Sequence, residues 1–284
     1  MLMIDFTLIP WWQIVFLVGG FGVIIGSFLN VVIYRFRTGK SLSGSSHCLS
    51  CQTPLSWYDL FPLVSYVVLR GRCRSCSAYI PSRYFVVELL TGLLFVLVVW
   101  VEPVWWLWPL LWVLVSILVV TTVYDIMHLV IPNSLVYTLS MIAVFHVTYN
   151  WYVVPDLTEL LMTLLAIIGG FGFFAGLWKI SAGRWIGFGD AKLAIPLSAM
   201  VGLMGTFSMI VLAFWIGTVI SLGLILWQKL QQKRGQSLLR NGVPQLTMKS
   251  EVPFAPFLIA AFLLVYLLQT DVLALISYVI PNPI

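Results

Sequence analysis

Apolar residues dominate eight stretches of the chain, at about 11–34, 84–101, 104–124, 134–150, 157–178, 190–204, 206–228 and 253–270. Most of them reach the roughly 20 residues an α-helix needs to cross the hydrocarbon of a bilayer. Their apolarity is continuous rather than alternating, as expected of helices surrounded by lipid and by one another. The fourth and sixth stretches are short for a span. The start, "MLMIDFTLIPWWQ", has no basic n-region, and no small-residue cleavage site follows its apolar run, so it reads as a retained first helix. The pattern predicts an all-α polytopic membrane protein with about eight transmembrane helices.

Composition agrees with this. Of the 284 residues, 61% are hydrophobic and only 9% charged, too few to cover a soluble domain. The 15 Lys and Arg residues fall in three segments only: 35–83, 179–192 and 229–249. With eight helices these segments share one side of the membrane, which the positive-inside rule makes cytoplasmic, and both chain termini lie outside. The opposite side carries Asp5, Glu102, Asp156, Glu159 and Asp271. Trp11, Trp12, Trp105, Trp106 and Trp151 fall at the outer helix ends, as an interfacial belt does. The net charge of +5 is therefore a topology signal, and no nucleic-acid partner is expected.

Two acidic residues stand out. Asp125 in "TTVYDIMHLVIPNSL" and Asp190 in "RWIGFGDAKLAIP" both fall at cytoplasmic helix ends, 65 positions apart. Singly, each reads equally well as a solvated interfacial residue or, for Asp190, a helix N-cap. As a pair at one depth they read as function, because ionisable groups beside membrane spans are costly. Carboxylates that approach closely share a proton instead of both ionising, and such a pair can activate water and polarise a peptide carbonyl. Gly187 and Gly189 lack Cβ atoms that would hinder a substrate backbone. Pro132 interrupts helical hydrogen bonding and pushes Ile131 towards an extended conformation. Irregular backbone at membrane depth must line protein or a wet cavity, so both motifs point to a cleft open to the cytoplasm.

All four cysteines lie in the first polar segment, as Cys48-x2-Cys51 and Cys73-x2-Cys76. The spacing suits a closed, structural zinc site with four thiolate ligands. Disulfides are the competing reading, disfavoured by the reducing compartment that the charge map implies. The chain then divides into a first transmembrane helix at 1–34, a cytoplasmic zinc-binding domain at 35–83 and a helix bundle at 84–284.

Taken together, "GSFLNVVIYR" (Gly26–Arg35), the paired Cys-x2-Cys loop, "SRYFVVELLTG" (Ser82–Gly92), "DIMHLVIPN" and "GFGDAKL" occur in the order found in the bacterial type IV prepilin peptidases, the leader peptidase/N-methyltransferases, which the chain resembles. The resemblance implies an aspartic endopeptidase of the GxGD type with Asp125 and Asp190 as its catalytic pair, and zinc on Cys48, Cys51, Cys73 and Cys76. It implies cleavage of the basic leader from prepilins and pseudopilins of type IV pili or type II secretion, at the cytoplasmic face of the inner membrane. It also implies N-methylation of the new N-terminal residue with S-adenosylmethionine. Lys192, in the same "GFGDAKL" motif, would support the site. Phe85 stands where the family commonly has proline, Asn133 where it commonly has aspartate, and the loop before Cys48 is short.

Glu88 and Asn30, near cytoplasmic helix ends, either orient substrate or pair with Arg83 or each other. "GGFGVIIG" (Gly19–Gly26) and "GGFGFFAG" (Gly169–Gly176) set glycines at small-xxx-small spacing inside apolar spans, which favours close helix packing over nucleotide binding. A secondary transporter would keep its carboxylates at midplane, whereas these lie at one interface. A metal hydrolase using Asp125 and His128 lacks an HExxH pattern.

Overall fold

Apolar runs of this length become helices because a helix satisfies its own backbone donors and acceptors where no water can. The computed structural model of the chain describes residues 10–233 and 252–272, apart from 37, 39, 40, 42, 43 and 45. In chain order its helices are α1 (Trp11–Arg35), α2 (Val64–Val68), α3 (Arg83–Val101), α4 (Trp108–His128), α5 (Asn133–Val153), α6 (Leu157–Ser181), α7 (Phe188–Lys233) and α8 (Ala255–Leu268). No strand occurs among the described residues, only two isolated bridges, His47 with Pro54 and Arg72 with Tyr79. Asp5, Arg37, Lys40, Arg234, Arg240 and Lys249, and with them the expected outward position of both termini, lie outside the described residues.

Five helices are long and apolar enough to cross a membrane: α1, α3, α4 with its preceding turn, α6 and α7. α5 has the length, at 21 residues, but a more polar composition, and α8 has only 14 residues. The run Phe188–Leu230 in α7 would be about 65 Å long if straight, more than twice the hydrocarbon thickness. It is not straight. Gly202 has φ 68° and ψ −174°, which no helix contains, and splits α7 into two arms. The expected pair of helices is therefore present, with its junction at Gly202 instead of at 205.

The chain forms two compact units, Met1–Val120 and Thr121–Ile284, whose boundary falls within α4. In the first unit α1 packs on α3 at glycine contacts. A Cβ on Gly22 would come 2.9 Å from the Gly92 Cα, and one on Gly26 would come 2.7 Å from the Glu88 Cα. Backbones this close are what small residues in membrane helices permit. Phe95 stacks on Trp112 with ring centroids 5.2 Å apart, and Trp112 Nε1 donates to the Phe95 carbonyl.

In the second unit Phe174, Leu193, Leu197, Met209, Leu258 and Phe262 are fully buried. α6 is capped at both ends. The Asp156 side chain accepts from the Thr158 N–H, while Ala182 and Gly183 take left-handed conformations and return N–H groups to Lys179 and Trp178. The equal spacing of Gly172 and Gly176 does not mark a contact here: a Cβ on either would meet nothing within 4 Å. It is Gly170, two residues before Gly172, that packs closely, against Ser198 of α7.

Candidate active site

Asp125 lies in the last turn of α4. The helix stops because Leu129 turns left-handed (φ 52°) while its N–H still donates to the Asp125 carbonyl at 2.8 Å. Backbone from Leu129 to Pro132 is non-helical, and Pro132 caps α5 with φ −66° and ψ 130°. Asp190 is the third residue of α7, in the helix's first turn, where backbone N–H groups are unpaired. Both side chains are buried, Asp125 at 5% exposure and Asp190 at 6%, and they lie close enough for their charges to act on each other. The Ala255 N–H at the start of α8 donates to Asp125. Asp190 accepts from the N–H groups of Gly187 and of Asp190 itself. Its Oδ1 is buried with no hydrogen-bond partner among the described residues. A helix N-terminus thus faces each carboxylate, which favours negative charge there.

Two contacts join the motifs that carry the aspartates. A Cβ on Gly189 would lie 3.2 Å from the Ile131 Cβ and 3.3 Å from its Cγ1 and Cδ1, so the glycine leaves just enough room for Ile131. Lys192 Nζ donates to Asn133 Oδ1 at 3.0 Å, with its charge 5.2 Å from the centroid of the Phe188 ring. Gly187 is less crowded, with Asp190 Oδ2 3.5 Å from the place of its Cβ. His128 lies against Tyr124, ring centroids 4.4 Å apart.

The cysteines meet in the first unit, on the loop between α1 and α3, where their four sulfur atoms lie within 4.8 Å of one another. Each Cys-x2-Cys pair is bent by the same device. Gln52 (φ 58°) returns its N–H to Cys48, and Cys48 donates to Thr53; Ser77 (φ 58°) returns its N–H to Cys73, and Cys73 donates to Ala78. Cys48 and Cys76 Sγ are 3.9 Å apart, far beyond a disulfide and close to the ~3.8 Å sulfur–sulfur edge of a zinc tetrahedron. The Thr53 hydroxyl, 3.2 Å from Cys51 Sγ, acts with the Thr53 N–H to draw the Cys51 thiol down to about 6, towards the thiolate that a metal binds. The chemistry and shape of this cluster suit a metal ion.

Residues 21–102 match the Bacterial Peptidase A24 N-terminal domain, and residues 112–222 match the Type IV leader peptidase family. The chain is 34% identical over 200 residues to the Prepilin leader peptidase/N-methyltransferase of Vibrio cholerae serotype O1, covering 64% of this chain and 75% of that one. The chain belongs to the type IV leader peptidase family. The relative of the same name from Neisseria gonorrhoeae is 30% identical, over 70% of this chain and 78% of its own, and that from Aeromonas salmonicida is 28% identical over 89% and 90%. No solved structure matches.

In this family member Asn133, the departure from the common aspartate, still reaches Lys192, as an amide in place of an ion pair. Phe85, the departure from proline, packs on Tyr66 with ring centroids 5.4 Å apart. Glu88 and Asn30 both fall in the first unit. Glu88 Oε2 accepts the Leu63 N–H at 2.8 Å, and Asn30 Nδ2 donates to the Tyr84 carbonyl at 3.1 Å. The sequence reading missed Ile131 as the partner of Gly189, the Ala255 N–H beside Asp125, and the left-handed Gln52 and Ser77. Only the last two carry a local signal: each is the residue after the second cysteine of its pair.

Proposed function

We propose that this protein cleaves the basic leader from type IV prepilins and pseudopilins and N-methylates the new N-terminal residue. The observation that carries the first half is the buried pairing of Asp125 with Asp190, whose Oδ1 has no hydrogen-bond partner among the described residues. A carboxylate oxygen of that kind can hold a water molecule or a substrate group. The charged member of the pair takes a proton from water as the oxygen attacks the scissile carbonyl, and the protonated member donates to the carbonyl oxygen. Collapse of the tetrahedral intermediate then breaks the C–N bond, and the amine leaves with a proton returned from the pair. In this scheme Lys192 ties the segment after Asp125 to the start of α7 through Asn133, and Glu88 accepts from Leu63 within the first unit.

The proposed arrangement is a first helix at 1–34, a cytoplasmic zinc domain at 35–83 with Cys48, Cys51, Cys73 and Cys76 as ligands, and the peptidase bundle at 84–284. Eight spans in the inner membrane would put the aspartates and the cysteines on the cytoplasmic side. With four thiolates the zinc site is closed to substrate, and the metal holds the loop together. The methyl donor would be S-adenosylmethionine, the reading favoured by the names of the relatives. Reconstituted protein given a purified prepilin tests both halves. Leader loss without added S-adenosylmethionine, and gain of one methyl group only with it, is the expected result. An intact prepilin after incubation would refute the reading.

A further inference from the structure

The loop between α1 and α3 presents an apolar surface of its own. Trp57 and Phe61, with Val64, Val67 and Val68 of α2, are each 56–75% exposed. The valines recur at i, i+3 and i+4, so they share one face of α2. The same segment is fastened to α3 by its other residues. Tyr66 packs on Phe85 with ring centroids 5.4 Å apart, and the Leu63 N–H donates to Glu88 Oε2 at 2.8 Å. These anchors fix the height of the patch. Phe85 and Glu88 lie in the first two turns of α3, and Glu88 is about 7–8 Å along the axis from the helix start at Arg83. The outward apolar residues of α3 begin at this level, with Val86, Leu89, Leu90 and Leu93 exposed. An amphipathic segment at a bilayer surface sinks its apolar face roughly 5–10 Å into the boundary of headgroups and acyl chains. The patch therefore adjoins α3 where that helix begins to face lipid.

Positive charge follows the valines directly. The chain turns at Arg70 and Gly71, both left-handed (φ 51° and 66°), and sets the exposed Arg70 and Arg72 beside α2. The Arg70 side chain makes no hydrogen bond or ion pair among the described residues. Arg74 is different: Asp59 holds it at 2.9 Å, and its charge lies 5.0 Å from the centroid of the Tyr58 ring. That contact ties the turn Trp57–Leu60 to the second cysteine pair. We propose that residues 57–72 form a monotopic element that docks on the bilayer and seats the cysteine loop in its surface. Trp57, Phe61 and the three valines enter the boundary of headgroups and acyl chains, and Arg70 and Arg72 meet the phosphates of anionic lipids. Two observations select lipid as the occupant: the patch is held level with the end of a span, and acidic headgroups attract its charge. The cysteine hairpins then sit above a lipid-seated base and are not a domain free in the water phase. The proposal rests on α1 and α3 as spans and on neither chemistry above, so it would outlive the failure of leader cleavage or methylation.

Fluorescence quenching of the full-length, metal-loaded protein in nanodiscs tests this, in phosphatidylcholine alone and in an equal mixture with phosphatidylglycerol. The emission lost in Trp57→Phe isolates the signal of Trp57. In the wild type, lipids brominated in the upper acyl chain should quench that signal, and iodide in the water should not. Bromolipid quenching should be about twofold stronger with phosphatidylglycerol, and Arg70→Glu with Arg72→Glu should abolish the difference. Val67→Asp with Val68→Asp puts charge on the exposed face and leaves the Tyr66 side alone. It should raise iodide quenching about threefold or more, with bound metal still at the wild-type level as the sign of a folded loop. The wild-type comparison decides the matter even if that variant loses its metal. Iodide quenching without bromolipid quenching overturns the proposal, because the patch then faces water. Protection from iodide that appears only when purified prepilin is added also overturns it, and makes the surface a protein docking site. Equal bromolipid quenching in the two lipids overturns the anionic assignment.

Discussion

Gly189 shows how one missing methyl group can govern the distance between two buried carboxylates. A Cβ there would come within 3.2–3.3 Å of three Ile131 atoms, tighter than ordinary contact, and Ile131 lies six residues after Asp125. An alanine inside a helix gains about 1 kcal/mol over glycine, which opposes the crowding. The two effects act on different observables. Gly189→Ala should melt within a few degrees of the wild type, yet cleave prepilin roughly tenfold more slowly as Ile131 displaces the Asp125 segment. Adding Ile131→Ala should recover part of the lost rate. A Gly189→Ala enzyme of full activity would mean that the contact with Ile131 does not hold the pair in place. The two aspartates were legible in the sequence because carboxylates are rare there and both interrupt apolar runs. Ile131 was not, because its role depends on a glycine 58 positions away that only folding brings beside it.

At the scale of helices the sequence announced composition well and partners poorly. The span positions follow from apolar length, so α1, α3 and α6 begin and end within a few residues of their expected limits. The kink in α7 was displaced because an apolar run looks the same on either side of Gly202. Identical glycine spacings also had opposite outcomes. Gly26 faces the backbone of α3, whereas Gly172 faces no described atom within 4 Å, and nothing in either helix's own sequence tells the two apart. Gly26→Ala should force α1 and α3 apart and cost about 1–3 kcal/mol, read as a lower melting temperature in detergent. Gly172→Ala should leave the melting temperature unchanged or slightly higher; a loss as large as that of Gly26→Ala would show that Gly172 is packed after all. The cysteine loop makes its own prediction. Cys48→Ser or Cys73→Ser should lower bound zinc to background in elemental analysis, because the metal supplies the loop's folding free energy. As Asp125 and Asp190 lie outside this loop, methylation should fall before leader cleavage does. Zinc content equal to that of the wild type would exclude the four-thiolate site.

For the molecule as a whole, the two candidate constellations fall in different compact units. The cysteine cluster and Glu88 belong to Met1–Val120, and Asp125 with Asp190 to Thr121–Ile284. The sequence showed both sets as separate motifs and placed Glu88 and Asn30 at the membrane depth of the aspartates, the only coordinate it offered. The structure adds their hydrogen bonds: Glu88 accepts from Leu63 and Asn30 donates to Tyr84, both within the first unit. The central claim is that Asp125 and Asp190 act as one catalytic pair. The most direct measurement is the prepilin cleavage rate of Asp125→Asn, Asp190→Asn and the double variant, each reconstituted at equal amount in vesicles. Each single change should reduce cleavage to the background of empty vesicles, and the double variant should be no worse than either, because residues that act as a unit are not additive. Near-normal cleavage by either single variant would contradict the account.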